Sequence, residues 1–240
     1  MRRIGLLGGM SWESSIEYER LINQGVREQL GGTHSADLVI RSYDFAAIEA
    51  LQAAGEWDAM GDLLASDARQ LERSGAEVIA LCTNTMHRVA GRIEQALDAA
   101  EFVHIGDATA GAVMSVGIAC VGLVGTRYTM EHDFLSSRLT SNGIEVLIPD
   151  EPDRTMIHHT IYDELVRGVI DNASRRRMVE AIDALRGRGA TGVIAGCTEI
   201  ELLVGPDDID AAYFPTARLH AAAIVERCLT VSASEHHGDR

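Results

Sequence analysis

The segments Val78-Ile79-Ala80-Leu81-Cys82-Thr83 and Val193-Ile194-Ala195-Gly196-Cys197-Thr198 decide the predicted fold, because they repeat one pattern. Each starts as a short apolar run of the kind that forms a buried strand in a parallel sheet. Each run ends at a Cys-Thr pair, after which the sequence becomes helix-like. The repetition predicts two halves of similar structure, each presenting one cysteine loop.

Apolar runs alternate with helix-length stretches along the rest of the chain. The predicted strands are residues 3–7, 36–42, 78–81, 102–105, 118–124, 145–148, 193–195 and 212–214. Such alternation predicts parallel βαβ units. Cys82 follows Gly8 by 74 residues and Cys197 follows Gly125 by 72 residues, which supports an internal repeat. We therefore predict an α/β fold with two similar three-layer domains, whose mostly parallel sheets are related by a pseudo-two-fold axis. The active site is expected in the cleft between them, at the carboxyl ends of the strands.

The predicted helices, which include residues 86–100 and 155–168, also indicate where the two domains divide. We expect residues 1–107 together with 216–230 to form the first α/β domain, because the last helix should return to pack on the first. Residues 108–215 are expected to form the second α/β domain. The polar tail at 231–240 is expected to be disordered.

Composition excludes several classes of function. A formal net charge of -15 over 240 residues argues against nucleic acid, which needs a basic surface. No apolar run approaches the roughly 20 residues that span a bilayer, and the first residues do not resemble a secretory signal. The chain is therefore expected to be cytoplasmic, with no membrane partner. Its four cysteines are expected to be free thiols.

The chain contains no lysine, because all 21 basic residues are arginine. Pyridoxal-phosphate enzymes need a lysine for the Schiff base, and Walker-type phosphate loops need one beside their Ser/Thr. Both kinds of site are therefore excluded. Cys82 and His87 lack the paired ligands of a zinc site, so we expect neither a metal nor an organic cofactor.

The two cysteine loops could carry out proton transfer at a carbon acid. A thiol between a strand end and a helix start lies near the positive end of the helix dipole, which favours thiolate. One cysteine could remove a proton from one face of a substrate while the other donates to the opposite face. The backbone N–H groups of Thr83, Asn84 and Thr85 could bind the charge that develops on a carboxylate. Alternatively, each cysteine is a small buried core residue.

At these residues the chain resembles the aspartate/glutamate racemase family, specifically its aspartate-racemase-like branch. The matching motifs are Gly8-Gly9-Met10-Ser11-Trp12-Glu13-Ser14, Cys82-Thr83-Asn84-Thr85-Met86-His87, Gly125-Thr126 with Thr129, and Gly196-Cys197-Thr198-Glu199-Ile200. The resemblance extends to about residue 229. It implies cofactor-independent racemisation of aspartate and/or glutamate, a small acidic substrate.

The resemblance also implies roles for individual residues. Cys82 and Cys197 are expected to be the paired acid/base catalysts. Further residues expected to line the substrate pocket are Met10, Gln52, Asn84, Thr85, Thr126, Thr129 and Thr198. The family's aspartate racemases carry a lysine near the segment 161–165 for the distal carboxylate. Here Arg167 is expected to bind that group, and Pro215 stands where family members commonly have Asp.

Two other functions are consistent with the same residues. Paired cysteines could serve as nucleophile and acid in a cis/trans isomerase of an unsaturated diacid such as maleate. A chain with Val166 and Pro215 at these positions could also be a non-catalytic ligand-binding protein on the racemase fold. A homodimer is expected by analogy with soluble enzymes.

Overall fold

The computed structural model describes residues 1–230 and contains two four-stranded sheets. The N-terminal sheet consists of β1 (Ile4–Gly8), β2 (Leu38–Ser42), β3 (Val78–Leu81) and β4 (Glu101–Val103). The C-terminal sheet consists of β5 (Cys120–Gly125), β6 (Glu145–Leu147), β7 (Gly192–Gly196) and β8 (Ala212–Pro215). The strand orders are β2-β1-β3-β4 and β6-β5-β7-β8, and all neighbouring strands are parallel. The predicted tail at 231–240 lies outside the described residues.

Helices connect the strands and cover the sheets. Those associated with the N-terminal sheet are α1 (Trp12–Leu30), α2 (Phe45–Ala54), α3 (Trp57–Arg73) and α4 (Ala90–Ala96). The remaining helices are α5 (Ile105–Ser115), α6 (Arg127–Glu131), α7 (Asp133–Ser141), α8 (Asp153–His159), α9 (Asn172–Gly187), α10 (Ile200–Leu203) and α11 (Thr216–Leu229). The two parallel sheets and their helices confirm the predicted α/β fold class.

Two predicted helices differ from those observed. In place of one helix at 86–100, a 3₁₀ turn at Thr85–Val89 precedes α4, which ends at Ala96. In place of one helix at 155–168, α8 changes to a π-helical turn at Thr160–Glu164 and then to a 3₁₀ turn at Leu165–Arg167. Such changes alter the number of residues per turn, so the side chains after residue 159 do not follow the α-helical phase.

The side chains of β3 alternate between two apolar clusters, as expected for a strand buried on both faces. Val78 and Ala80 pack in the cluster formed with α1 and α11, whereas Ile79 and Leu81 pack in the cluster formed with α3. Cys82 follows directly and keeps the alternation, so it joins Val78 and Ala80 in the cluster with α1 and α11.

The polypeptide passes between the two sheets twice. The first crossing follows β4, where α5 begins at Ile105 and contacts both α7 and α11. The second crossing follows β8, where α11 begins at Thr216 and returns to pack along α1. The predicted division between residues 107 and 108 falls inside α5, and the domain boundaries stay a prediction.

No helix within residues 1–230 combines the length and apolar character that a membrane crossing requires.

Gly9 fixes the turn that follows β1. Its φ is 83°, a left-handed value that favours glycine. A Cβ built at this position would overlap the backbone N and O of Tyr43, whose own N–H donates to the Gly8 carbonyl over 3.1 Å. The turn is therefore restricted to glycine both by its conformation and by the close approach of a second backbone.

We expect Gly9→Ala to lower the free energy of unfolding by more than the roughly 1–2 kcal/mol that left-handed backbone alone costs a non-glycine residue. Gly143→Ala is the matched control, because Gly143 has a φ of 78° but open space around its Cβ position. Urea denaturation of both variants measures the difference. Equal losses would contradict the role of the Tyr43 contact.

Candidate active site

A cavity of about 50 Å³ lies where the carboxyl ends of the two sheets meet. Residues directly after β1, β3, β5 and β7 contribute to its wall, as expected for parallel sheets that face each other. Its lining residues are Met10, Ser11, Ser14, Tyr18, Phe45, Gln52, Thr83, Asn84, Thr85, Thr126, Ile161, Tyr162, Val166, Gly196, Cys197, Thr198 and Glu199.

Most of the residues predicted from the sequence lie together in this lining. They are Met10, Gln52, Thr83, Asn84, Thr85, Thr126, Cys197 and Thr198. Three predicted residues, Cys82, Thr129 and Arg167, do not line the cavity.

Cys82 lies outside the cavity because strand alternation directs its side chain into the core. Its N–H continues the parallel ladder by donating to the Leu7 carbonyl over 2.9 Å, and its side chain is fully buried among apolar residues. Burial raises the pKa of its thiol. These are the surroundings of the core cysteine that the sequence left as an alternative.

Thr83 takes the position in the N-terminal sheet that Cys197 takes in the C-terminal sheet. Leu7 pairs with Leu81 in the parallel register of β1 and β3, and extending that register by one residue places Gly8 beside Cys82. In the C-terminal sheet, Gly125 of β5 pairs with Gly196 of β7. If Gly8 and Gly125 correspond in the repeat, the residues one step beyond are Thr83 and Cys197. Both are half-buried and line the cavity.

Thr129 and Arg167 differ from prediction in separate ways. Thr129 is fully buried behind Thr126, with their hydroxyl oxygens 3.2 Å apart. Arg167 is exposed on the 3₁₀ turn, and its neighbour Val166 forms the cavity wall instead. The π-helical and 3₁₀ turns after α8 rotate the chain so that residue 166 rather than 167 faces inward.

The Cys197 thiol is hydrogen-bonded to a buried carboxylate. Its Sγ donates to Oε2 of Glu199 over 2.8 Å, and Thr198 Oγ1 donates to the same oxygen over 2.7 Å. Desolvation, together with the charge and hydrogen bond of Glu199, raises the pKa of Cys197 well above its ordinary value. The thiol is therefore protonated at neutral pH while no substrate is bound.

Donors from α1 complete the environment of Glu199. Ser11 Oγ donates to Oε1 over 3.0 Å, and Ser14 Oγ lies 3.3 Å from the same atom. Glu199 is 8% exposed, so the four hydroxyl and thiol donors replace most of its hydration. The carboxylate therefore connects residues after β7 with the start of α1.

Sequence reasoning missed several lining residues. Ser11 caps α1, and Ser14 and Tyr18 follow it at positions three and seven residues further on. These positions lie on one face of a helix, so the helical spacing could have identified both residues. Ile161, Tyr162 and Val166 carried no such signal, because they lie in or after the π-helical turn. Among residues 1–230, no group of His, Cys, Asp or Glu side chains is arranged to hold a metal ion.

A family model described as Asp/Glu/Hydantoin racemase matches residues 7–224. The chain belongs to this family. The match covers the end of β1, all of strands β2 to β8 and every residue of the cavity lining.

Solved structures of similar proteins share the fold of this racemase-family chain. A Yersinia pestis protein described provisionally as an Asp/Glu racemase is 48% identical, with a TM-score of 0.91 over 96% of this chain and 100% of that one. An aspartate racemase homologue from Pyrococcus horikoshii is 31% identical, with a TM-score of 0.84 over 95% and 99% of the two chains. Glutamate racemase from Francisella tularensis is 14% identical, with a TM-score of 0.66 over 97% and 84%, and supports the fold alone.

Three buried histidines support the Thr83 loop of this family member from behind. His87 accepts from the Ile105 N–H at Nε2, so its Nδ1 carries the proton and donates to the Thr83 carbonyl over 2.7 Å. His220 donates from Nε2 to the Val103 carbonyl over 2.8 Å. The ring of His87 lies 4.6 Å from that of His104 and 5.6 Å from that of His220.

All three imidazoles are held in the neutral form. Burial, reinforced by the neighbouring histidines and Arg138, lowers the pKa of His87 well below its usual value. The same causes lower the pKa of His104 to about 3, and burial lowers that of His220 to about 4. Protonation of His87 at Nε2 would put a charge beside the rings of His104 and His220 and break the hydrogen bond from the Ile105 N–H.

We expect the three histidines to leave stability independent of pH above about pH 6.5 and to lower it as the pH decreases below that value, because the unfolded histidines bind protons before the folded ones do. For His220 alone, the lowered pKa corresponds to a loss of about 3 kcal/mol by pH 4. Urea denaturation between pH 7.5 and pH 4 measures this loss. His220→Gln should reduce the pH dependence, whereas His34→Gln, at an exposed position, should not. Equal pH dependence in both variants would contradict the assignment.

Proposed function

We propose that this protein is a cofactor-independent amino-acid racemase that transfers the α-proton of its substrate inside the cavity. The observation that carries the proposal is the half-buried Cys197 thiol, hydrogen-bonded to Glu199, in one cavity with Thr83. Aspartate and glutamate are the first substrates to test, because the more similar relatives are described as an Asp/Glu racemase and an aspartate racemase homologue.

Cys197 is the acid/base group for one face of the substrate. Transfer of its proton to Glu199 produces the thiolate, which then takes the α-proton: the C–H bond breaks, an S–H bond forms, and the electron pair moves into the carboxylate. Neutral donors in the cavity, including the hydroxyls of Thr85 and Thr126, stabilise that charge. The proton equilibrium between thiol and carboxylate sets the fraction of active base.

Thr83 serves the opposite face. Its hydroxyl donates a proton to the planar intermediate, which forms the new C–H bond. Solvent restores the hydroxyl proton, and Glu199 releases to solvent the proton it took from Cys197, so the resting state is recovered. The core position of Cys82 supports Thr83 over Cys82 as this second group. A hydroxyl is a much weaker acid and base than a thiol, so the two faces exchange protons at unequal rates.

The maleate-type isomerase is less well supported. That reaction was inferred from two thiols that act together, as nucleophile and acid. Within the described residues, Cys197 is the cysteine of the cavity lining.

We expect Cys197→Ala to lower racemisation by about 100- to 10,000-fold, the range that general acid/base groups contribute. Thr83→Ala should slow interconversion but leave α-proton exchange in D2O for the enantiomer whose C–H bond faces Cys197. Cys82→Ala should retain most activity. Chiral chromatography and proton NMR in D2O measure both rates.

A folded Cys82→Ala variant as inactive as Cys197→Ala would contradict this assignment. If the unmodified protein neither exchanged nor interconverted any amino acid, yet was stabilised by one against heat, it would be a binding protein.

Glu199 should control the reactivity of the Cys197 thiol. Glu199→Gln removes the charge that raises the pKa of Cys197, so alkylation of this cysteine by iodoacetamide should begin at lower pH. Peptide mass spectrometry measures alkylation at Cys197 separately from the other cysteines. Glu201→Gln is the matched control, since Glu201 is paired with Arg218. An unchanged alkylation profile in Glu199→Gln would refute the coupling.

A further inference from the structure

Within residues 1–230, the cavity lining contains no positively charged side chain. Among the described residues, neither arginine nor histidine belongs to its lining, and the sequence contains no lysine. The charged lining residue is Glu199, an acid. The remaining polar groups are hydroxyls, amides and the Cys197 thiol, which are neutral in the resting protein.

This charge balance suits a zwitterion better than a dicarboxylate. An α-amino acid with an uncharged side chain brings one ammonium and one carboxylate, and Glu199 attracts the ammonium. Aspartate or glutamate adds a second carboxylate that would be desolvated without a cation. The basic residue nearest in sequence to the wall residue Val166 is Arg167, which is exposed and outside the lining. The net charge of -15 further disfavours an additional anion.

Asn84 supplies a second, independent observation. Thr216 donates its hydroxyl proton to the Ala195 carbonyl over 2.9 Å, so its oxygen accepts from Asn84 Nδ2 over 2.9 Å. These two hydrogen bonds together fix the orientation of the Asn84 amide. Its Oδ1 is buried and has no hydrogen-bond partner, although the residue lines the cavity and is 6% exposed.

An unsatisfied buried acceptor requires a donor. A side-chain amide N–H provides one, whereas a side-chain carboxylate provides none and would be repelled by Oδ1. Ile161 and Val166 add an apolar wall that likewise does not compensate a charge.

We infer that the site prefers amino acids with an uncharged polar side chain, such as asparagine and glutamine, over the acids of the same shape. This preference rests on the proposed racemase function and names its substrate class. The basis is the juxtaposition of the Glu199 carboxylate, the unpartnered Asn84 Oδ1 and the neutral wall at Val166.

Two isosteric pairs test the inference, because asparagine and aspartate, or glutamine and glutamate, differ chiefly in one charge. We expect kcat/KM for racemisation to be at least about tenfold higher for the amide of each pair, a difference of about 1.4 kcal/mol. Equal or higher values for the acids would overturn the inference. Stabilisation against heat by the same four compounds reports the preference without turnover. Selective stabilisation by the amides with no racemisation would therefore overturn the reaction but support the preference.

Val166→Lys tests the physical cause, because it adds a cation to the cavity wall. It should shift the aspartate-to-asparagine ratio of kcat/KM towards aspartate by about tenfold or more. Val166→Met is the uncharged control for side-chain length. Val169→Lys adds the same charge three residues away, where the side chain is 49% exposed and outside the lining. A ratio that shifts equally in all three variants, or in none, would overturn the electrostatic explanation.

Discussion

The arrangement of the cavity depends on how one buried carboxylate is satisfied. Glu199 accepts hydrogen bonds from Ser11 and Ser14 at the start of α1 and from Cys197 and Thr198 after β7. A desolvated carboxylate is tolerable only with such donors, and these lie in segments that follow strands of both sheets. The same group therefore holds the two loops together, keeps the Cys197 thiol protonated and sets the sign of the charge inside the cavity.

Topology explains why these groups meet at all. Parallel strands place their carboxyl ends at one edge, and two such edges facing each other bring four loops into a single cavity. The Thr83 loop is also fixed from behind by a group that does not line the cavity. Behind Thr83, this support is the neutral His87, whose tautomer is determined by the Ile105 N–H. At this loop, positioning is therefore carried by His87 and not by a residue of the cavity lining.

The fold was predictable from the sequence because strand and helix periodicity are local properties. The cavity was predictable in outline, since residues just after predicted strands must lie at one edge. The identity of the inward-facing residue was harder to predict. Alternation along β3 was enough to assign Cys82 to the core with Val78 and Ala80, but the repeated Cys-Thr pair suggested a different alignment of the two loops. The sequence did not indicate which of Val166 and Arg167 faces the cavity, because the preceding turns depart from the α-helical phase.

The two crossings between the sheets have a mechanical consequence. A body joined to another at two separated points keeps one rotation, about the line through both joints. Here the joints are the links from β4 to α5 and from β8 to α11, and the hydrogen bond from His220 to the Val103 carbonyl ties α11 to the end of β4. Any widening of the cavity that keeps both sheets intact must therefore be a hinge rotation about this line, with the buried imidazoles beside the axis and Asn84 held near it by Thr216.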